Sequence, residues 1–359
     1  MKTDTEHIHL KRVSRWKFYI VGLLLAFAVI LFLSLNLGYS PIPYDDILTT
    51  LLKHIPGLNA LVENVDVAKT TEIIITQIRL PRVLCGALVG AALATAGVIY
   101  QGIFRNPMAD PYVIGASTGA TVGSALVLVL GVGLSFFGVN TLQIFAFIGS
   151  LITVIFVYNI SRVGSRVPVT TLLLVGIAVS LFLNAIVTYL QTIASDRILH
   201  GLTFWIIGSL APTENWDKVW SILPFIVTGF IVSYLYSRNL NILALGEEQA
   251  QHLGVETEKV KMILIVTGAL LTAAAVSISG LIGFVGLIIP HLTRVLIGPD
   301  HRILLPTAAI VGASFLMFCD ALSRVVMGSG EAPVGIITAL SGAPFFVYLL
   351  RRKKKGYNV

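Results

Sequence analysis

A short polar segment, residues 243–255, lies between two long apolar blocks and concentrates side chains that could bind a partner. It contains Glu247, Glu248, Gln249 and His252 among Leu, Ala and Gly residues. A membrane protein seldom uses so many polar residues between apolar blocks only to reverse the chain direction. Two short pieces separated by glycine therefore predict a docking site for another molecule in the cytoplasm.

No group of residues has the spacing of a catalytic or metal-binding site. The phosphate-binding pattern G-x-x-x-x-G-K-[ST] does not occur, so the chain is not expected to hydrolyse ATP by that route. The seven histidines are scattered, without an H-E-x-x-H motif or a His/Cys cluster. His291 and Arg294 are interpreted as an interfacial polar pair, and Cys85 and Cys319 as small buried apolar residues. We predict that the chain is not an enzyme and carries no metal or cofactor.

The central portions of the apolar segments contain almost no Asp, Glu, Lys or Arg. Charged residues such as Asp320 and Arg324 fall near the ends of these segments. Carriers driven by protons or sodium usually need ionisable groups in the middle of the membrane. Their scarcity argues against an ion-coupled secondary transporter, although backbone carbonyl groups can also bind sodium.

Three arginines lie at the ends of predicted spans that face away from the cytoplasm. Arg79 and Arg82 flank Leu80-Pro81, and Arg324 lies near the end of another apolar segment. Outward arginines can pair with carboxylates of a soluble partner outside the cytoplasm. The alternatives are contact with lipid headgroups and, for Arg324, an i,i+4 pair with Asp320 on one helix.

The composition indicates which elements position these residues. Of the 359 residues, 56% are hydrophobic and 12% are charged, whereas soluble domains contain about 25% charged residues. The net charge of +7 comes mostly from short loops and the termini, as expected for cytoplasmic membrane flanks. We therefore predict a membrane protein in contact with lipid and no nucleic-acid partner.

Span-length apolar segments predict an all-α polytopic fold with about ten transmembrane helices and both termini in the cytoplasm. We expect a cytoplasmic N-terminal segment at 1–15, a transmembrane domain at 16–350 with a cytoplasmic loop at 238–260, and a basic cytoplasmic tail at 351–359. Residues 39–82 are too polar to span and are expected outside, and 201–210 form an outer-surface or re-entrant helix. The predicted spans are 16–37, 83–104, 112–138, 141–160, 169–194, 219–236, 260–279, 280–297, 303–324 and 334–350.

Small residues and prolines mark further features of the spans. Gly86, Gly90 and Ala94 recur every four residues, as do 115, 119 and 123, and this spacing favours close helix packing in lipid. Pro107 and Pro111 break the helix between the second and third spans. Non-helical backbone at that depth must lie against protein or a water-filled cavity, so this turn is a candidate wall of a pathway.

Several ordered motifs resemble those of the permease subunits of type II ABC importers for iron-siderophore complexes, haem and cobalamin. The similarity covers nearly the whole chain from about residue 20. The matching pieces are Arg79-Leu80-Pro81-Arg82, residues 106–111 with Gly115, residues 245–254, residues 280–294, and Pro333 and Gly335 with residues 342–344.

The resemblance implies a twenty-helix homodimer in the plasma (inner) membrane of a prokaryote. Two separate ATPase subunits would bind ATP and Mg, and a substrate-binding protein outside the cytoplasm would deliver the cargo. The polar loop, residues 245 to about 259, would form a pair of coupling helices seated in a groove of the ATPase. Its matching residues are Leu245, Gly246, Glu247, Glu248, Gln249, Ala250, His252, Leu253 and Gly254.

The resemblance also assigns residues to a gate and to a docking surface. The cytoplasmic gate would be formed by Asn106, Met108, Thr170 and Thr171, and the docking surface by arginines 79, 82 and 324. We predict an import permease for a ferric siderophore, with haem or cobalamin as the alternative cargo. The competing classes are an ion-coupled secondary carrier and a membrane scaffold or receptor that transports nothing.

Overall fold

The computed structural model describes residues 2–38, 40–62, 65, 67–136, 139–211, 216–326 and 331–354. These parts of the chain are almost entirely helical, in agreement with the predicted fold class. The helices are, in chain order, α1 (Lys2–Asn36), α2 (Tyr44–Lys53), α3 (Lys69–Ile73), α4 (Leu80–Ile103), α5 (Ala116–Leu130), α6 (Thr141–Ile160), α7 (Val169–Ile193), α8 (Asp196–Ile207), α9 (Trp216–Leu235), α10 (Ser237–Leu243), α11 (Glu247–His252), α12 (Thr257–Ser279), α13 (Val285–Ile297), α14 (His301–Val326) and α15 (Val334–Lys354).

Seven helical segments within the described residues are long and apolar enough to cross a membrane. They are Trp16–Asn36, Lys69–Ile103, Thr141–Ile160, Val169–Ile193, Trp216–Leu235, Thr257–Ser279 and His301–Val326. Three shorter apolar helices, Ala116–Leu130, Val285–Ile297 and Val334–Tyr348, fall within the remaining predicted spans. The number of ten spans, the cytoplasmic termini and the dimer remain predictions, and residues 355–359 of the basic tail lie outside the described residues.

Two predicted spans are longer than the helices found in their place. The prediction for 112–138 is wrong at its end, because α5 stops at Gly131, which adopts a left-handed backbone with φ of +67°. A short antiparallel ladder follows, in which Ser135–Phe136 pairs with Val139–Asn140. The prediction for 280–297 is wrong at its start, because positive φ values at Gly280 and Phe284 keep residues 280–284 out of the helix.

The segment predicted to lie outside, 39–82, is more helical than expected. It contains α2, a 3-10 turn at Asn59–Leu61 and α3. A π-helical turn, Ile74–Arg79, joins α3 to α4 without a break. Pro81, in the first turn of α4, lacks a backbone N–H to donate, and its ring would clash with the carbonyl group one turn earlier in a regular α-helix. The wider π turn immediately before Pro81 lets the helix continue through this position.

Glycines bring the helix backbones together, as the four-residue spacing predicts. A Cβ atom on Gly90 would lie 2.2 Å from the Gly312 carbonyl oxygen, so α4 and α14 are in backbone contact. A Cβ atom on Gly123 would lie 2.1 Å from the Phe145 carbonyl oxygen and would separate α5 from α6. The interpretation of these glycines as packing residues is confirmed.

Burial is uneven among the helices. Most side chains of α4 and α12 are buried, including Cys85, and Cys319 is buried in α14. By contrast, only Leu172, Gly176, Val187 and Leu190 are buried in α7. The core therefore surrounds α4 and α12, and α7 keeps an apolar face for lipid or for another protein.

Candidate functional site

Residues 245–256 contain one short helix, α11, and not the predicted pair of coupling helices. Another short helix, α10, ends at Leu243 before this range, and both lie between the long helices α9 and α12. Gly246 precedes α11 with φ of +128° and Gly254 follows it with φ of +81°, conformations that favour glycine. Ala250 N donates to the Gly246 carbonyl, and Val255 N donates to the Ala250 carbonyl. The predicted boundary of 245–259 is wrong at its end, because residues 257–259 already belong to α12.

The surface around α11 combines exposed polar side chains on the helix with an exposed leucine on either side of it. Leu245 is 64% exposed and Leu253 is 62% exposed, although both are large apolar residues. Between them Glu248, Gln249 and His252 are exposed, whereas Ala250 is buried against the protein. An exposed leucine pair with polar residues between them is typical of a surface that another protein covers. This part of the predicted docking segment is therefore exposed at the protein surface.

Glu247 points the other way, toward the protein. Its two carboxylate oxygens accept hydrogen bonds from Lys261 Nζ, each at 3.2 Å, and the ammonium group is almost completely buried. Lys261 lies in α12 and also pairs with Glu258 at 2.6 Å. The two adjacent glutamates of α11 consequently have different environments, which the sequence alone did not distinguish.

A cleft of about 460 Å³ joins α11 to the start of α7. Its walls include Gly246, Glu248 and Gln251 from the polar segment and Arg105, Arg166 and Thr170 from elsewhere in the chain. The predicted gate residue Thr170 is exposed, and Thr171 is half-buried. The predicted docking segment and this part of the predicted gate therefore share one cavity.

The turn that holds the other two predicted gate residues is ordered by its own side chains. Asn106 Oδ1 accepts a hydrogen bond from Met108 N at 2.9 Å, and Asp110 Oδ1 accepts one from Tyr112 N at 2.8 Å. Asn106 is exposed and Met108 is half-buried. Neither residue lines the cleft, although their neighbour Arg105 does.

The same turn contacts a distant motif. A Cβ atom on Gly286 would lie 2.6 Å from Pro111 Cγ, and a Cβ atom on Gly97 would lie 1.9 Å from the Gly286 carbonyl oxygen. Only a residue without a side chain fits between α4 and the turn at this position. Two of the motifs that carry the family resemblance are thus in direct contact.

The three arginines predicted to face outward are buried and bonded within the chain. Arg79 donates to the carbonyl oxygens of Leu35 and Asn36, at the end of α1. Arg82 pairs with Asp320 at 3.0 Å, and Arg324 pairs with the same carboxylate at 3.2 Å. The i,i+4 pair of Asp320 and Arg324, one of the alternatives from the sequence, is confirmed.

The exposure that docking requires is therefore not found at these arginines. Arg82 is 3% exposed and Arg324 is 4% exposed. Asp320 lies near the end of α14, as expected, but it compensates two buried guanidinium groups and is itself 1% exposed. A buried charge is stable only when it is paired and hydrogen-bonded. Docking through these side chains remains a prediction that needs a change of partners.

Sequence analysis did not single out Lys261, the buried member of the cytoplasmic cluster. Positive residues near span ends are expected from membrane orientation alone, so a lysine at the start of a span does not by itself indicate a functional role. One available signal was Glu258 three residues earlier, because an i,i+3 spacing places two side chains together on a helix.

Comparison with known proteins gives a consistent result. A model of the FecCD transport family matches residues 24–352. The uncharacterised ABC transporter permease protein YvrB of Bacillus subtilis is 41% identical over 96% of both chains. The cobalamin import system permease protein BtuC of Halobacterium salinarum is 45% identical over 80% of this chain and 76% of its own length. A solved metal-chelate type ABC transporter in an inward-facing conformation superposes with a TM-score of 0.79 at 33% identity, covering 93% of this chain and 98% of that chain.

Proposed function

The chain belongs to the FecCD transport family, and from this premise we propose that it moves a metal chelate into the cytoplasm with energy from a separate ATPase. It is a multi-pass permease of the type II ABC importer family, in the plasma (inner) membrane of a prokaryote. The observation that carries the proposal is the exposed face of α11 between Leu245 and Leu253. It offers an ATPase a protruding contact on a chain that lacks a phosphate-binding loop of its own.

In this proposal α11 occupies a groove on the ATPase. The two exposed leucines supply apolar area, and Glu248, Gln249 and His252 supply hydrogen bonds at the rim. ATP and Mg are bound by two ATPase subunits, one for each copy of the permease. Closure of the ATPases moves α11, and the spans rock between outward-open and inward-open states.

The cytoplasmic gate is proposed at Thr170 and Thr171, together with Asn106 and Met108. Thr170 lines the same cleft as α11, so a movement of α11 has a short route to the first turn of α7. Short polar side chains at a constriction close a pathway by narrowing it and do not need a charge. This agrees with the uncharged central portions of the spans.

A second copy of the chain completes the pathway in this proposal. A gate on α7 needs something opposite it, and α7 exposes most of its length, including Leu174, Leu181 and Phe182. An apolar face next to polar threonines fits a homodimer in which two α7 helices lie on either side of a central path. A substrate-binding protein outside the cytoplasm delivers the cargo to this path.

The proposed cargo is a ferric siderophore, with cobalamin or haem as the alternative. The support is the chelate character shared by the cobalamin permease of Halobacterium salinarum and the metal-chelate type transporter of similar structure. Within the described residues no group of three His, Cys, Asp or Glu side chains could hold a bare metal ion. A path without such ligands suits a metal that arrives wrapped in an organic ligand.

Reconstitution in liposomes tests the proposal. The permease is co-expressed with its ATPase and combined with the binding protein, and ATP hydrolysis and uptake are measured with ferric siderophores, haem and cobalamin in turn. We expect one chelate to stimulate hydrolysis and to accumulate only with ATP. Uptake that survives ATP depletion but collapses with an uncoupler would instead identify an ion-coupled carrier.

A further inference from the structure

We propose that Lys261 is the positioning residue that passes movement of α11 to the gate. The inference rests on the proposed function, in which α11 receives the ATPase and the start of α7 forms the gate. The proposal rests on a buried ammonium group that simultaneously contacts α11, Glu258 of its own helix α12, and the segment that leads into α7. Nothing in the family motifs assigns this lysine a role.

Three acceptor groups from three parts of the chain surround Lys261 Nζ. The Val167 carbonyl oxygen lies at 3.0 Å, both Glu247 carboxylate oxygens lie at 3.2 Å, and Glu258 Oε1 lies at 2.6 Å. The Lys261 residue is only 2% exposed. The ammonium therefore donates hydrogen bonds to the Val167 carbonyl and to the Glu247 carboxylate, and it forms an ion pair with Glu258.

A second bond strengthens the connection to the gate segment. Glu258 Oε2 accepts a hydrogen bond from Val167 N at 2.9 Å, so side chains of α12 bind both polar groups of the Val167 backbone. Pro168 follows and restricts the backbone at once. Its carbonyl oxygen accepts from Leu172 N at 3.0 Å within the first turn of α7. Thr170 is thus three residues from Val167, and the intervening backbone is restricted by Pro168 and by the first turn of α7.

Burial makes this connection costly to separate. Moving α11 away from Lys261 would take one of two carboxylates from an ammonium group that is shielded from water, which is unfavourable. Moving α11, Lys261 and Val167 together keeps every bond. The cluster therefore favours concerted displacement of α11 and the start of α7 over sliding of one past the other.

Lys259 provides the contrast within the same helix. Its ammonium lies 3.6 Å from Glu256, with side chains that are 66% and 75% exposed, and it reaches neither α11 nor α7. An exposed pair of this kind contributes little, because water and salt screen it. Lys259 is therefore a matched control for Lys261.

The test uses the full permease, co-expressed with its ATPase and reconstituted with the binding protein and the chelate that the wild type transports. The measured quantity is the amount of chelate moved per ATP hydrolysed. For Lys261→Met we expect this ratio to fall by about 5-fold to 150-fold, the usual range for coupling between two sites. Co-purification of the ATPase should be retained. Lys259→Met should keep the wild-type ratio, and Lys261→Arg should recover part of it.

A second variant separates coupling from folding. In Lys261→Met/Glu247→Gln/Glu258→Gln the charged link is removed without leaving a buried charge unpaired. A folded triple variant with a low transport ratio supports the proposal, whereas one that transports at the wild-type ratio overturns it. If the wild type binds no ATPase or shows no ATP-driven uptake, the proposed function itself fails, and this result is distinct from either variant outcome.

Discussion

Arg82 and Asp320 are 238 positions apart in the sequence, and the Arg82 guanidinium donates to both oxygens of the Asp320 carboxylate. Arg82 Nε and Nη2 lie 3.1 Å and 3.0 Å from Oδ1, and Nε lies 3.3 Å from Oδ2. The pair joins α4 to α14, and Arg324 adds a second guanidinium to the same carboxylate. One buried carboxylate thus holds two helices and two cations together.

Asp320→Asn should lower the free energy of unfolding by about 3–5 kcal/mol, because it leaves two buried guanidinium groups without their carboxylate. Arg82→Met should cost less, because Asp320 keeps Arg324. The order of the two melting temperatures in detergent checks this expectation. Equal melting temperatures for both variants would show that Arg324 does not compensate.

The positions of the long helices could be predicted from the sequence, because apolar length alone identifies a span. The predicted span 169–194 corresponds to α7, Val169–Ile193, with a difference of one residue. The pairing of Arg82 with Asp320 could not be predicted, because it depends on how α4 and α14 cross. Phe284 is another such case, since its φ of 70° is uncommon for a residue other than glycine and could not be expected from its type.

For the candidate site, the sequence predicts the location of the polar segment but not the environment of each side chain. Glu247 and Glu248 are adjacent and chemically identical, so the sequence predicts the same role for both. In α11, Glu248 is exposed at the surface, whereas Glu247 contacts Lys261. Which glutamate faces inward depends on the register of α11 between Gly246 and Gly254, and this follows from packing.

Gly90→Ala should destabilise the protein, because the new methyl group would lie 2.2 Å from the Gly312 carbonyl oxygen and force α4 away from α14. We expect a loss of about 1–3 kcal/mol, the usual cost of overpacking. Gly22→Ala in α1 is the control, since a Cβ atom there meets nothing within 4 Å. Thermal unfolding in detergent measures both, and a Gly90→Ala variant as stable as Gly22→Ala would contradict close contact of these helices.

Glu248→Ala should weaken binding of the ATPase without lowering the melting temperature of the permease, because Glu248 is exposed on α11. Loss of one rim hydrogen bond to a charged group corresponds to about 1.5–3 kcal/mol of affinity. Co-purification in mild detergent and titration with isolated ATPase measure the effect. Asp217→Ala, which removes an exposed carboxylate from α9, should bind the ATPase as the wild type does.

Asp300 should make stability depend on pH in the acid range. Burial opposes its ionisation, but hydrogen bonds from Arg302 and Asn241 outweigh this and hold the pKa of Asp300 well below its usual value. A lowered carboxyl pKa adds stability that is complete above the usual value of about 4 and is lost as the pH falls toward the folded-state pKa. Asp300→Asn should cost about 1.5–3 kcal/mol near neutral pH. The difference from the wild type should shrink below about pH 4, as measured by unfolding at each pH.

Glu331→Gln should strengthen binding of the substrate-binding protein, and this prediction reconciles arginine docking with the burial of the arginines. Arg82 Nη1 bonds to Glu331 at 2.8 Å, and the Glu331 side chain is 42% exposed, whereas Asp320 is almost fully buried. A carboxylate of a docking protein can replace Glu331 at Arg82 and leave Asp320 in place. Removing the charge of Glu331 removes the competitor, so affinity should rise by about 2-fold to 5-fold, the free-energy range of an exposed ion pair.

Surface plasmon resonance with permease in nanodiscs measures the affinity at two salt concentrations. Weaker binding after Glu331→Gln would mean that Glu331 itself contacts the partner, and unchanged binding would exclude Arg82 as a docking residue.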